Sequence, residues 1–342
     1  MIKAILLNDT SNELHHGCDL VIKNLYKLLK IREIKVIYSL PCGINWKENK
    51  SFYKYFNLTD IVIVNGEGTI HHDQPTGHNL LKVGEFCKKR NKKVFLINAT
   101  YQNNSEYIQK YLKFFDLISV REIFSYNELK KFKIHSYMVA DLSFYSDHNL
   151  IKTDKLNKKI YSDSINLNIT NQLYEYYKND LNYEYLPILK RIKYNKLNFY
   201  DFLRFLKYKF ILMLFKIKKN KRLNFYNSRY YGVENNEEYI NKILNSEFVV
   251  TGRFHTVCIC ILTKTPFIAF SSNSHKIESL VKTIDINSIR VVDFSNFFKN
   301  NYKLENYSKL ELEKIDNFIK ETKKNINKLF DKILEISKVD LN

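Results

Sequence analysis

Apolar residues along this chain fall into short blocks whose spacing alternates between strand-like runs and helical repeats. "IKAILLN" is a continuous apolar run of strand length, and "GCDLVIKNLYKLLKI" repeats its apolar positions at helical spacing. "IKVIYSL" reads as a second strand, and "TDIVIVNGEGTI" as a third that runs into a glycine loop. "NLLKVGEFCKKRN" is helical, "KKVFLINATY" a strand, "YIQKYLKFF" a helix, "DLISVRE" a strand and "IFSYNELKKF" a helix, followed by "SYMVADLSF". Strands alternating with helices in this way predict βαβ units and a parallel sheet. "KIYSDSINLNIT" opens a second such unit, and the rhythm resumes from "NNEEYINKILN" through "SEFVVTG", "RFHTVCICILTK", "TPFIAFSS" and "KIESLVKTI". The tail, "KLELEKIDNFIKETKKNINKLFDKILEIS", predicts a long amphipathic helix or a helix pair. The expectation is an α/β protein of two Rossmann-like domains with parallel sheets. One domain spans residues 1–155, the second 156–305, and a helical segment follows over 306–342.

One segment breaks the rhythm. From Lys190 to Arg229 there are 13 Lys or Arg residues against a single acid, Asp201, interleaved with aromatics. Helical spacing would gather Phe202, Phe205, Leu206, Phe210, Leu212 and Phe215 on an apolar face with a basic rim. That pattern predicts a basic helical insertion (190–229) in the second domain that lies on an anionic membrane surface. A packed helix with solvated lysines is the plainer reading. A nucleic-acid groove ranks below both, because no nucleic-acid motif accompanies the aromatics.

Composition adds less than it first suggests. The chain carries a formal net charge of +19 and 45% apolar residues over 342 positions, enough for a large core. It is also crowded with Lys, Asn, Ile, Tyr and Phe and poor in Gly and Pro, a bias that AT-rich coding alone can produce. The five cysteines show no paired framework, which fits a reduced compartment. The first residues lack the long apolar core of a signal peptide, and no run of about 18 apolar residues predicts a spanning helix. A cytoplasmic protein, peripheral at the inner face of the membrane, is the expectation.

Open α/β sheets bind ligands at the carboxyl ends of their strands. After the first strand come Asn8, Asp9, His15, His16 and Gly17; after the third come Gly66, Glu67, Gly68, Thr69, His71, His72 and Asp73. Later strands end in Asn98, Arg121 and Asp141, and the second half contributes Arg253, His255, Ser271, Asn273, His275 and Lys276. Arg253 and His255 are the most pointed pair, because they sit between two apolar runs where a bare guanidinium is costly. Each has a plainer reading. The glycine loop matches neither dinucleotide nor P-loop spacing, Cys258 and Cys260 read as core, and Arg253 could sit in a buried ion pair. No acid lies near Arg253 in sequence after Glu247 to supply that pair. His71, His72 and Asp73 lack the spacing of a metal site, so no metal is expected.

"INKILNSEFVVTGRFHTVCICILTKTPFIAFSSNSHKIESL" resembles the C-terminal signature of the polysaccharide pyruvyl transferase family. "DIVIVNGEGTI", "LISVREIFSYNEL" and "VADLSF" are similar to that family's glycine loop, its Arg-x-x-x-Ser helix and its Asp-bearing strand. The resemblance covers roughly residues 1 to 290, more weakly over 155–235. It implies a GT-B-like fold with the site between two domains, no cofactor, and transfer of a pyruvyl unit from phosphoenolpyruvate onto a sugar of a bacterial surface glycan. Carried over by position, it implies Arg121, Arg253, His255 and Lys276 as site residues; Ser271 and His275, from their strand ends, join Arg121, Arg253 and Lys276 as donor-binding candidates. His255, with Asp141, Asp9 or His16, would move protons. Asn8, His15, Gly66, Glu67, Gly68, Thr69, His71 and His72 would face the saccharide acceptor, which could be lipid-linked. The alternative it leaves open is a GT-B-like glycosyltransferase using a CMP- or other nucleotide-activated sugar in capsule or lipopolysaccharide synthesis. A reading of another class is a membrane- or nucleic-acid-binding protein with a degenerate site. Two departures stand out: Cys18 replaces an expected acid in the first loop, and Glu67 replaces a glycine common in the family.

Overall fold

The computed structural model describes residues 1–146, 158–191, 206, 232–298 and 305–339. The first half contains β1 (Ile2–Asp9), α1 (His16–Ile31), β2 (Ile34–Pro41), α2 (Lys50–Phe56), β3 (Ile61–Asn65), β4 (Ile70–His71) and α3 (Pro75–Lys88). It continues with β5 (Lys93–Ala99), β6 (Tyr101–Gln102), α4 (Glu106–Gln109), β7 (Leu117–Val120), α5 (Ile123–Lys131) and β8 (Tyr137–Met138). Six of these strands form one parallel sheet in the order β2-β1-β3-β5-β7-β8, and β4 pairs with β6 at its rim. The order reverses between β1 and β3, the kind of switch point at which an open sheet leaves a crevice.

The second half contains β9 (Lys159–Ser164), α6 (Leu167–Tyr177), β10 (Tyr183–Tyr185), α7 (Asn236–Leu244), β11 (Val249–Gly252), α8 (Phe254–Thr263) and β12 (Phe267–Phe270). It ends with α9 (Lys276–Ile284), β13 (Val291–Val292) and α10 (Phe294–Phe297), before the long α11 (Lys309–Lys338). Its sheet is parallel throughout, in the order β10-β9-β11-β12-β13. This order reverses between β9 and β11, so both sheets present a crevice at their carboxyl ends.

The continuous apolar strands are explained by helices on both faces of each sheet. Alternate residues of one strand enter different cores: Ile5 and Leu7 join one, Ala4 and Leu6 the other. In the second sheet Val249 and Phe267 face one core while Val250 and Ile268 face another. The helix α11 ties the halves together. Its Ile315 enters a second-half core, whereas Ile326, Leu329, Phe330 and Ile333 pack on the first sheet. Arg290 holds Glu311 at 2.9 Å on one side, and Arg32 holds Asp331 at 2.8 Å on the other. The tail is therefore one helix, opened by a capping box between Ser308 and Glu311.

Two local expectations change. The block "YIQKYLKFF" is not one helix but the short α4 followed by a 3-10 turn, Leu112–Phe114. Its buried residues Ile108, Tyr111, Leu112 and Phe115 still reach the core, so the apolar pattern is satisfied without a continuous helix. "KIYSDSINLNIT" holds a strand and then the start of a helix, because Asn166 turns and caps α6 at the backbone of Asn168. The basic insertion lies outside the described residues except for Lys190, Arg191 and Leu206. No helix among the described residues is long and apolar enough to cross a membrane.

Candidate functional site

The first loop begins with His15, which caps α1: its Nδ1 accepts from the amides of Gly17 and Cys18 at 3.1 and 3.2 Å. With Nδ1 accepting, the neutral ring carries its proton on Nε2. Burial, aided by the charges of His255 and Arg253, holds His15 well below its ordinary histidine value, so it stays neutral. Its ring meets that of His255 edge-on at 5.4 Å. His255 comes from the second half, at the start of α8. The two domains approach here so closely that a Cβ on Gly17 would lie within 2.5 Å of the His255 Nδ1.

The glycine loop forms the floor. Asn8, in the left-handed region with φ 62°, donates to the Asn65 carbonyl at 2.6 Å and to Thr69 Oγ1 at 3.3 Å. Gly66 is required because a Cβ there would meet the Ala99 Cβ at 2.5 Å. Glu67 is buried, and its Oε1 accepts from Thr10 Oγ1 at 2.9 Å and Asn65 Nδ2 at 3.2 Å. Its Oε2 accepts from Cys18 Sγ at 3.6 Å; burial first, then Glu67, pushes that thiol well above its ordinary value. The two departures from the family pattern, Cys18 and Glu67, therefore contact each other.

Cations from both halves converge above Gly68. A Cβ at Gly68 would sit 3.4 Å from an Arg121 terminal nitrogen and 3.6 Å from Lys276 Nζ. Arg121 is buried, donates to Thr100 Oγ1 at 2.8 Å and to Asp141 at 2.7 Å, and lies over the Phe254 ring at 4.5 Å. Burial alone would raise the Asp141 carboxyl, but His255 and Arg121 outweigh it and hold it well below the usual carboxylate range. Asp141 Oδ2 also stands 3.8 Å from His255 Nε2. This carboxylate orients Arg121 and stands beside His255, whose buried Nε2 makes no hydrogen bond among the described residues; so strongly held a charge makes a weak proton acceptor.

Arg253 has the partner that its sequence neighbourhood lacks. Its Nε and one terminal nitrogen donate to Asp163 Oδ2 at 2.8 and 2.5 Å, and Asp163 sits at the end of β9. Lys276 is different. It is buried, its Nζ donates to Asn273 Oδ1 at 2.7 Å, and among the described residues no carboxylate pairs with it. Burial first, then the charges of Arg121 and Arg253, bring its pKa down to about 7. The N-termini of α8 and α9 carry no side-chain cap, so their free amides add to the positive potential. Arg121 and Arg253 are thus each held by a carboxylate, and Lys276 is the buried lysine that, among the described residues, is not, with the Arg121 guanidinium beside it over Gly68.

Several expected residues point elsewhere. Asp9 accepts from Ser39 Oγ and from the Ser11 amide at 2.9 Å, bracing the β1–β2 side of the loop. His16 is fully buried between the domains, stacked on Tyr239 at 4.4 Å and bonded to Asn236 at 2.9 Å; burial lowers it to about 4. His275 turns to Glu122 at 3.2 Å, and Glu122 also accepts hydrogen bonds from the amides of Phe124 and Ser125 and from Ser279 Oγ. That carboxylate thus joins α5 of one domain to α9 of the other. His71 contacts His72 at 3.0 Å and Asn273 at 3.3 Å, and burial, with the Lys276 charge, lowers it to about 4. Ser271 is exposed at the end of β12. No motif marks Asp163 or Phe254 in the sequence, and Glu122, a plausible partner for its neighbour Arg121, instead meets His275 while Arg121 pairs with Asp141. Asp163 could have been found by asking what ends the first strand of the second domain.

His15, Cys18 and His255 form a cluster whose ligating atoms lie within 4.8 Å of one another. The cap argues against a metal. A histidine that binds metal through one nitrogen must carry its proton on the other, and His15 Nδ1 is accepting two amides.

The sequence profile of the polysaccharide pyruvyl transferase family matches residues 15–274. No curated protein sequence matches the chain. In fold, the chain is similar to UDP-GlcNAc 2-epimerase from Neisseria meningitidis bound to UDP-GlcNAc. That pair share 9% identity over 98% of this chain and 99% of that one, with a TM-score of 0.53. UDP-N-acetylglucosamine 2-epimerase from Rickettsia bellii is similar at 10% identity over 100% and 99%, with a TM-score of 0.51. These likenesses are of fold alone, and the fold they share is GT-B. With a family match that covers most of its length and both of its cleft walls, the chain belongs to the polysaccharide pyruvyl transferase family and is a transferase.

Proposed function

We propose that this enzyme transfers the pyruvyl unit of phosphoenolpyruvate onto two hydroxyls of a saccharide in a bacterial surface glycan. The observation that carries the reading is Lys276, a buried cation with no carboxylate partner among the described residues, facing Arg121 across Gly68. Phosphoenolpyruvate offers a phosphate and a carboxylate to such a site, and arginine suits either through its planar fork. In this reading His255, with the Asp141 carboxylate 3.8 Å from its Nε2, protonates C3 of the enol, and a sugar hydroxyl adds to C2 and gives up its proton. The C2–O bond to phosphate then breaks. A second hydroxyl closes the ketal on the same carbon; of the two hydroxyl protons, one restores the proton that His255 gave to C3 and the other leaves on inorganic phosphate. His15, neutral with its proton on Nε2, supplies a fixed donor beside His255.

A nucleotide-activated sugar is the second reading, favoured by the paired free helix ends of α8 and α9, which would also suit a diphosphate. Thermal unfolding separates the two, because a ligand that binds the folded state raises its stability by mass action. Phosphoenolpyruvate should raise the melting temperature while CMP and UDP leave it unchanged; the reverse result would transfer the case to the glycosyltransferase. The basic segment 190–229 belongs to the same proposal, as the part that brings the enzyme to a lipid-linked acceptor at an anionic membrane surface.

A further inference from the structure

A cavity of about 780 Å³ opens at the carboxyl edge of the second sheet, on the face of α9 that carries Glu278 and Lys282. Its size falls within the range of about 300–1,000 Å³ that holds small ligands. Phe270 and Phe294 from the second domain and Phe124 from α5 give it flat apolar walls. Ser271 stands at its border and begins the loop that leads to Lys276. On its other side the Phe124 ring meets His275 edge-on at 5.2 Å, and His275 binds Glu122, the residue after Arg121. The cavity therefore adjoins the anion site without sharing its charges.

Its own charges have the opposite sign. Glu278, Asp285 and Asp293 line it against the single cation Lys282, which lies over the Phe124 ring at 5.3 Å. Two of the acids are engaged: Asp285 pairs with Lys314 at 2.5 Å, and Asp293 caps α10 by accepting from Ser295 at 2.8 Å. Glu278 is not. Its Oε2 is shielded from solvent with no hydrogen-bond partner among the described residues. Oε2 is closed to a ligand as it is to water, so it is the other oxygen of this carboxylate that faces a donor from the cavity, and the acids that surround it turn phosphate and carboxylate groups away. A ring that carries hydroxyls on its edge and C–H bonds on its face satisfies both the acid and the phenylalanines.

We propose that this cavity binds the saccharide acceptor, with Glu278 accepting its hydroxyls and the phenylalanines covering its ring. The acceptor then rests on the second domain, not on the first-domain loops that the family resemblance suggests. The assignment rests on the reading of this chain as a saccharide-modifying enzyme, and the test keeps the two apart. Saturation-transfer NMR on the whole chain, with the methyl glycosides of galactose, mannose and N-acetylglucosamine and with uridine, reads the cavity directly. At least one glycoside should take up saturation through its ring protons, and Glu278→Gln should weaken it by about tenfold. Ser271→Trp, which fills the border of the cavity from an exposed position, should act in the same direction should Glu278→Gln fold poorly. Glycoside binding that both variants leave intact, binding of uridine alone, or no glycoside signal at all would each overturn the assignment. Loss of the thermal response to phosphoenolpyruvate, with variant-sensitive glycoside binding retained, would sink the donor reading and support the cavity.

Discussion

Gly17→Ala sets two physical effects against each other. In a helix, alanine is better than glycine by at most about 1 kcal/mol, so propensity alone predicts a more stable protein. The structure predicts the opposite. The added methyl would meet the His255 ring within 2.5 Å of Nδ1 and closer still at Cβ and Cγ. His255 is buried at the start of α8, between α1 and Asp141, and has little room to retreat. Overpacking of this kind costs about 1–3 kcal/mol. The net loss should be up to about 2 kcal/mol, a fall in melting temperature of up to about 3 °C at about 2.1 cal/mol/K of unfolding entropy per residue over 342 residues. In the proposed mechanism His255 moves a proton, so activity should suffer more than stability, because a shift of about 1 Å in such a group can cost on the order of a hundredfold. The assay is differential scanning fluorimetry beside phosphate release from phosphoenolpyruvate in the presence of acceptor. A raised melting temperature with undiminished turnover would refute the reasoning, because it would mean that Gly17 is not held against His255.

Lys276 gives a pH signature. With its folded pKa near 7 and an ordinary lysine in the unfolded chain, the folded state holds fewer protons from about pH 7 to about pH 10. Its contribution to stability therefore rises with pH across that window, whereas affinity for an anionic donor falls, because the anion needs the charged amine. Calorimetry should show proton uptake on donor binding above pH 7, and Lys276→Met should abolish it; unchanged uptake in the variant would rule the lysine out. Glu122→Gln should lower unfolding stability by about 2–3 kcal/mol in urea, since one carboxylate serves donors from both domains; an unmoved midpoint would show that the tie is idle. Phosphatidylglycerol vesicles should sediment the protein at low salt and release it as salt rises. Replacing Lys216, Lys218, Lys219 and Lys221 with Gln should weaken that binding, and equal partition to neutral vesicles would end the membrane proposal.

Periodicity made the strands and most helices legible, because a strand buried on both faces cannot hide its apolar run, as in "IVIV" of β3. Strand ends then located the residues that meet in the cleft, among them Arg121, Asp141, Arg253, His255 and Lys276. What the sequence withheld was direction. Asp9 and His255 both follow strands, yet Asp9 turns sideways to Ser39 and His255 faces the centre. A strand end fixes where a side chain starts, not which neighbour it meets. Pairing across long separations was equally hidden. Arg253 looked unpaired because Asp163 lies on another strand, and His275 looked like a ligand contact until Glu122 met it across the domain seam. Nor does spacing reveal that α1 begins at that seam, where Tyr239 stacks on the His16 ring.

The central claim is a chemical transfer, and following the carbon tests it most directly. The purified enzyme, given uniformly carbon-13-labelled phosphoenolpyruvate and an extract of lipid-linked saccharides, should yield a saccharide bearing all the carbons of the pyruvyl unit as a ketal, with one inorganic phosphate released for each ketal formed. His255→Ala should fold as wild type does and yield none. Label that stays in phosphoenolpyruvate, while the same extract gains a sugar from a nucleotide donor, would contradict the account.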